Sequence, residues 1–125
     1  MSRRASIAVS RTSSAPRQAR RFVVATLEGW SVSRVCDRAE LLVSELVTNV
    51  IRHAACSPRV VVIEHDGCIR IEVFDEGPGG AVQQEPRMTE VGGHGLVLVE
   101  ALADRWGAAH NGREHVVWCE FEKEQ

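Results

Sequence analysis

The stretch from Glu40 to Ala54, ELLVSELVTNVIRHA, constrains the fold of this chain more than any other segment. On a helix at about 100° per residue, its apolar side chains share one broad face. Glu45 and Asn49, one turn apart, lie together on the margin of that face, with Arg38 and Arg52 beside them. The apolar face consists of Leu42, Val43, Leu46, Val47, Val50 and Ala54.

The pair of Glu45 and Asn49 has two interpretations. A carboxylate and a carboxamide stacked in this way can hold a divalent cation or a water molecule between them. The carboxylate is the better proton acceptor, and the amide oxygen is a neutral hard ligand suited to Mg²⁺. An ordinary amphipathic helix with a polar rim explains the same pattern. The downstream motifs decide between the two.

Local patterns around this stretch predict two helices in the first half of the chain. One helix is expected from Ala15-Pro16 to Gly29, because proline favours the first helical turn and glycine ends the apolar period. The stretch described above belongs to a second helix. Ser31 or Ser33 is its expected cap, and it is expected to end near Ala55.

A β-hairpin is predicted after the second helix. Val60 to Ile63 is a β-branched run, and Asp66-Gly67 is a two-residue turn of the kind that joins antiparallel strands. Cys68 to Asp75 alternates between apolar and polar residues. Because Asp75 shares the parity of the apolar positions, its carboxylate is expected to point toward the helix layer. These apolar positions are Ile69, Ile71 and Val73.

The second half of the chain predicts a loop, one helix and two strands. Gly77 to Gly92 has no apolar period and is expected to be a loop, whereas Gly95 to Asp104 has helical spacing. Trp106 to Ala109 and His115 to Phe121 are the expected last strands, and Ser6 to Ser10 is an expected edge strand. This order predicts an α+β two-layer sandwich, with helices on one face of a mostly antiparallel sheet.

Composition restricts the class of protein. A chain of 125 residues is expected to form one domain spanning residues 1–125. Its 44% hydrophobic and 26% charged residues are typical of soluble globular proteins, and its net charge of −2 argues against a dedicated nucleic-acid binder. The sequence has no run of 18 apolar residues and no signal-peptide core, so a cytoplasmic protein without a membrane partner is expected.

The cysteines and the arginines add two further expectations. The four cysteines form no CxxC pair and have no histidine at zinc spacing, which favours buried free thiols in a reducing compartment. The Arg-rich, Ser-rich start, with a flexible tail over residues 1–14, has three interpretations: a transit peptide, a patch for an anionic partner, or a solvated tail running into the exposed face of the first helix. Six arginines precede the first acid, Glu28: Arg3, Arg4, Arg11, Arg17, Arg20 and Arg21.

Asp75 is a candidate ligand-binding residue, because a buried ionised carboxylate without a partner is unfavourable. An arginine, backbone amides or a ligand could satisfy it, and the exocyclic amine of adenine is a donor that suits a lone carboxylate. In the alternative interpretation, Asp75 is a strand-end residue that accepts hydrogen bonds from local backbone amides.

Two glycine clusters follow Asp75. Gly77, Gly79 and Gly80 allow the backbone to pass close to a flat ring or a phosphate. A second cluster, GGHGL, opens a helix, and free amides at a helix N-terminus form a phosphate site without a lysine. The loop between the clusters is longer than most connections, which suggests a lid over a ligand.

Three motifs, E-x-x-x-N on a helix, D-x-G-x-G after an inward strand, and GGHGL before another helix, follow one another within about 50 residues. In this order they resemble the N, G1 and G2 boxes of the GHKL ATPase superfamily, which has the Bergerat fold. The run ELVTNVIRHA and the compact domain are most similar to bacterial anti-sigma-factor serine/threonine kinases.

The resemblance implies a role for each residue of the helix pair. Asn49 coordinates the Mg²⁺ that bridges the nucleotide phosphates. Glu45 orients or deprotonates the attacking hydroxyl of a Ser or Thr in a protein substrate. ATP and Mg²⁺ are therefore the expected substrate and cofactor.

The resemblance also assigns the base and phosphate contacts. Asp75 hydrogen-bonds the adenine amine, Gly77 and Gly79 give the ring room, and Gln83 to Val91 closes as the lid. The family often carries a threonine near the adenine on the final strand, where this chain has His115, Val116 and Val117. The residues implied to surround the phosphates are Gly93, His94, Gly95 and Leu96.

The implied partners are an anti-anti-sigma (antagonist) protein and a sigma factor, with a homodimer as a common assembly of such kinases. Phosphorylation of the antagonist would free the kinase to sequester the sigma factor. A second hypothesis is a non-catalytic module in which nucleotide only stiffens the partner surface. Direct binding of nucleic acid or of a membrane is not expected.

Overall fold

The computed structural model describes residues 2–53, 57–76, 94–111 and 114–123. Within these ranges the chain forms three helices and one five-stranded sheet with the order β1-β2-β3-β5-β4. Every pair of neighbouring strands is antiparallel, so the predicted α+β sandwich is confirmed. The elements are β1 (Arg3–Ala8), α1 (Ala15–Gly29), α2 (Cys36–His53), β2 (Arg59–His65), β3 (Cys68–Glu76), α3 (His94–Leu102), β4 (Arg105–Asn111) and β5 (Glu114–Glu122).

The helices cover one face of the sheet through a single core. The apolar stripe of α2 faces inward as predicted, with Leu42, Val43, Leu46 and Val47 at most 2% exposed. Full burial of each such side chain stabilises the fold by about 1.5–3 kcal/mol, which explains why α2 docks with this face and no other. The sheet contributes Ile69, Ile71, Val73, Cys119 and Phe121 to the same core.

The β2–β3 hairpin sets the register that the site depends on. Asp66 and Gly67 both have left-handed backbones, with φ of 46° and 79°, as a two-residue turn between twisted antiparallel strands requires. Val62 therefore pairs with Ile71, and the odd-numbered residues of β3 face the helices. A slip of one residue would turn Asp75 to the opposite face of the sheet.

The first strand differs from its expected position. It is an edge strand, as predicted, but it spans Arg3–Ala8 instead of Ser6–Ser10. Arg3 lies opposite Glu64, and its Nε donates to Oε1 of that residue at 2.6 Å, which extends the pairing toward the N-terminus. Residues 3–8 of the segment that was expected to be a tail therefore belong to the sheet.

The ends of two helices also differ from the expectations. Helix α2 begins at Cys36 and its first helical bond runs from the Ala39 amide to the Val35 carbonyl, so the N-cap position is Val35 and neither Ser31 nor Ser33 is the cap. Ser31 has a left-handed backbone, with a φ of 62°. Helix α3 ends at Leu102, because the Asp104 amide bonds the Glu120 carbonyl and joins β5. The expected end of α2 near Ala55 lies outside the described residues.

Three of the four cysteines lie in the described residues, and only Cys119 among them is buried as expected. Cys36, Cys68 and Cys119 are free, and burial raises the pKa of the Cys119 thiol to about 12. In the described part of the chain, no group of three or more His, Cys, Asp or Glu side chains could hold a metal ion. No helix within the same ranges is both long and apolar enough to span a bilayer.

Candidate functional site

Helix α2 places a buried amide at the margin of the core. Asn49 is only 7% exposed, because it follows Leu46 by one turn on the inward side of the helix. Its Nδ2 is buried and has no hydrogen-bond partner among the residues that the structure describes. Leaving a buried amide donor unpaired costs about 1–3 kcal/mol, so its surroundings suit a ligand better than a closed core.

Glu45 lies one helical turn before Asn49 and is half-buried. Side chains at this spacing are neighbours on a helix, with Cβ atoms about 5–6 Å apart. An acceptor carboxylate therefore stands beside the unpaired amide at the edge of the helix layer. The pair can hold a hydrated cation or accept a proton from a bound hydroxyl.

Strand β3 brings a second acid to the helix side of the sheet. Asp75 is 6% exposed and follows the buried Ile71 and Val73 on the same face, as the alternation predicted. Across the ladder it pairs with His115 of β5, which in turn pairs with His110 of β4. The rings of these two histidines are 4.5 Å apart between centroids and are tilted by 52°.

Buried polar side chains are concentrated among the predicted site residues. Of the described residues, only Asn49, Glu64 and Asp75 are buried polar or charged side chains. The carboxylate of Glu64 is held by Arg3 and Lys123, each at 2.6 Å, and so has a structural explanation. The other two belong to elements that pack on each other, α2 and β3.

Helix α3 begins at His94, within the second glycine cluster. Its first turn has no acidic residue, so nothing in that turn offsets the positive end of the helix dipole, which favours an anion. Helix α2 packs against α3 as well as β3, and Nη1 of Arg38 donates to the carbonyl of Leu102 at 3.0 Å. The backbones of Gly95 and Leu96 lie in the first turn.

The remaining predicted contacts lie outside the described residues. These are the ring contacts of Gly77 and Gly79, the phosphate contact of Gly93, and the lid from Gln83 to Val91. For these positions, the expectations from the sequence remain predictions.

Two features of the site were not anticipated. Arg38, expected beside Asn49, instead ties α2 to the end of α3 and lies over the Phe121 ring at 5.3 Å. His115 lies opposite Asp75 on β5. No local pattern could have identified this pairing, because it depends on the register between β3 and a strand far along the chain.

Comparison with known proteins agrees with this architecture. Residues 9–120 match the family model of the histidine kinase-like ATPase domain. One of 13 solved chains that match is the crystal structure of the RsbU and RsbW domains of Rv1364c from Mycobacterium tuberculosis, with a TM-score of 0.74 and 20% sequence identity.

The match covers 96% of this chain and 32% of the solved chain, so this chain spans about a third of the length of that protein. No protein of curated function matches the sequence. The family model covers nearly the whole chain, and the solved structure has the same sandwich of helices on an antiparallel sheet. The chain therefore belongs to the histidine kinase-like ATPase domain family.

Proposed function

We propose that this chain is a cytoplasmic ATP-dependent serine/threonine kinase of the anti-sigma type. It phosphorylates an antagonist protein and sequesters a sigma factor when that antagonist is modified. The observation that supports this most is the buried Asn49 amide, which has no hydrogen-bond partner in the described part of the chain and lies one turn from Glu45. The resemblance of the sequence motifs to those of GHKL ATPases implies phosphoryl-transfer roles for these same two positions.

The residues present fit a magnesium ion. Mg²⁺ prefers oxygen ligands, keeps several waters and usually takes only one or two protein ligands together with substrate phosphates. The carboxamide oxygen of Asn49 would be that protein ligand, with the amide nitrogen left to bond a phosphate oxygen or a water. Bound Mg²⁺ neutralises the charge that develops on the transferred phosphoryl group.

Each of the other residues has a positioning or proton-transfer role. The Asp75 carboxylate accepts a hydrogen bond from the adenine amine, and Gly77 and Gly79 leave room for the ring. Amides of Gly93, His94, Gly95 and Leu96 hold the phosphates at the positive end of α3.

During transfer, the bond between the γ-phosphorus and the bridging oxygen breaks, and a bond from the substrate hydroxyl oxygen to that phosphorus forms. The hydroxyl proton passes to the Glu45 carboxylate. ADP leaves with the electron pair of the broken bond. Positioning and electrostatics carry most of the catalysis in reactions of this kind.

The test is transfer of labelled phosphate from ATP to candidate antagonist proteins in the presence of Mg²⁺. Glu45→Gln should lower the transfer rate by about 10²–10⁴-fold while nucleotide binding persists, because only the proton acceptor is lost. Glu100→Gln, on an exposed position of α3, is the matched control and should transfer normally.

Unchanged transfer by Glu45→Gln would show that the proton-acceptor role is wrong. A partner affinity that depends on ATP, with no label transferred by the parent chain, would instead identify the non-catalytic binding module.

A further inference from the structure

Helix α1 carries its charges in the order opposite to the one that stabilises a helix. Its first turn has no acid and its last turn has no base. Arg17, Arg20 and Arg21 lie in the N-terminal half, and Glu28 lies next to the C-terminal residue. Because a helix dipole is positive at its N-terminus, these charges reinforce the dipole instead of offsetting it. The stability of the helix therefore does not explain this arrangement.

Within the described residues, the arginines of α1 have no carboxylate partner, whereas four of the five arginines on the sheet have one. Arg3, Arg59, Arg70 and Arg105 each lie within salt-bridge distance of a glutamate. The exposed Arg17 and Arg21 form no ion pair within the part of the chain that the structure describes. Arg20 is held in place by a 3.0 Å hydrogen bond from its Nη1 to Oγ of Ser44 on α2.

Arg17, Arg20 and Arg21 line a groove of about 440 Å³ beside α1 and α2. The arginines form one end of the groove, and Glu28 and Glu40 lie toward the other end. Val24 and Ala25 provide an apolar strip between them. The groove is thus basic, then apolar, then acidic along the direction of α1.

We propose that this groove docks a helix of a partner protein that is acidic at one end and basic at the other. Arg17 and Glu28 are 11 positions apart, which on a helix spans about 16 Å, or three turns of a partner. A helix with acids first and bases last, the order that its own dipole favours, would lie parallel to α1. Complementary charge sets the orientation and the encounter rate of such a complex.

A protein helix fits better than a polyanion. Glu28 and Glu40 would repel nucleic acid or an anionic membrane that extended along the groove, and the apolar strip suits the small or apolar side chains of a helix. The inference goes beyond the proposed function and requires no nucleotide. Ser44, which anchors Arg20, precedes Glu45 but points about 100° away from it around α2, so a docked partner would lie on a different side of that helix from the proposed site.

The test uses two stapled helical peptides of about 14 residues with the same composition. One has glutamates in the first third, alanine and leucine in the middle and lysines in the last third; the other has the same residues with glutamates and lysines alternating along its length. Binding to the full chain is measured by fluorescence anisotropy. The acid-first peptide should bind about tenfold more tightly than the alternating peptide, and raised salt should reduce this preference.

The Arg21→Glu variant should bind the acid-first peptide about tenfold more weakly than the parent chain. The Arg4→Glu variant, a matched charge reversal at an exposed position on β1, should bind this peptide with unchanged affinity. The Glu45→Gln variant should bind the acid-first peptide with the affinity of the parent chain. This result would distinguish peptide docking from the proposed phosphoryl transfer. Equal affinities of the two peptides, no measurable binding by either, or equal losses in Arg21→Glu and Arg4→Glu would overturn the proposal.

Discussion

Asn49 and Glu64 are both buried polar side chains, yet their surroundings differ in a way that separates function from stability. Glu64 receives hydrogen bonds from two cations, so its burial is compensated within the fold. The Nδ2 of Asn49 has no such compensation in the ranges that the structure describes. An unsatisfied amide on a well-packed helix is expected where a ligand completes its hydrogen bonding.

This contrast predicts that the Asn49→Leu substitution leaves the stability of the nucleotide-free chain intact but weakens nucleotide binding. Replacing an unpaired buried amide by an apolar group of similar size should leave the free energy of unfolding unchanged or raise it by about 1 kcal/mol. Affinity for ATP in the presence of Mg²⁺ should fall at least about tenfold, because a metal ligand is removed. Urea denaturation and calorimetry measure the two effects.

Thr48→Val, at the half-buried neighbouring position on α2, is the control for nucleotide binding. A loss of stability in Asn49→Leu with full nucleotide affinity would contradict the assignment, since it would identify Asn49 as a structural residue.

At the scale of elements, one ion cluster holds three parts of the sheet together. Arg3 of β1 and Lys123, which follows β5, both donate to the Glu64 carboxylate of β2 at 2.6 Å. Arg3 also lies over the Trp30 ring at 5.3 Å, which connects this edge to the end of α1. The cluster explains why the sheet extends to Arg3 in a segment whose composition resembles a tail.

The cluster predicts a pH dependence of stability. The hydrogen bonds from Arg3, then Lys123, lower the pKa of Glu64 below its ordinary value of 4.5. A carboxylate with a lowered folded-state pKa stabilises the fold above its unfolded pKa, and that contribution is lost as pH falls through the folded value. Glu64→Gln should therefore cost about 1–3 kcal/mol at pH 7, and the difference from the parent should shrink below about pH 4.

Urea denaturation at several pH values measures this difference, and the exposed Glu100→Gln variant should show no such pH dependence. A cost for Glu64→Gln that stays constant into the acid range would mean that the charge of Glu64 contributes nothing.

The secondary-structure elements also differ in how well they can be predicted from local sequence. The apolar spacing of α2 and the Asp66-Gly67 turn identify their elements, because helical period and left-handed backbone are local properties. The pairing of Asp75 with His115 is not local, since it depends on how β5 docks beside β3. The φ of Ser31 likewise depends on how the connection between α1 and α2 closes.

For the whole molecule, α2 is the element shared by two surfaces. On one side it meets α1 through the hydrogen bond between Arg20 and Ser44, next to the charged groove. On another side it meets α3 through the hydrogen bond between Arg38 and the Leu102 carbonyl. The proposed partner groove and the proposed nucleotide site therefore lie on different sides of a single helix.

The central claim is that Asn49, Asp75 and the N-terminus of α3 serve one Mg²⁺–ATP pocket. Its most direct test is calorimetric titration of the full chain with ATP, with and without Mg²⁺. The account predicts saturable one-site binding that weakens at least about tenfold when Mg²⁺ is omitted. No saturable heat with Mg²⁺–ATP, or the same affinity with and without the ion, would contradict it.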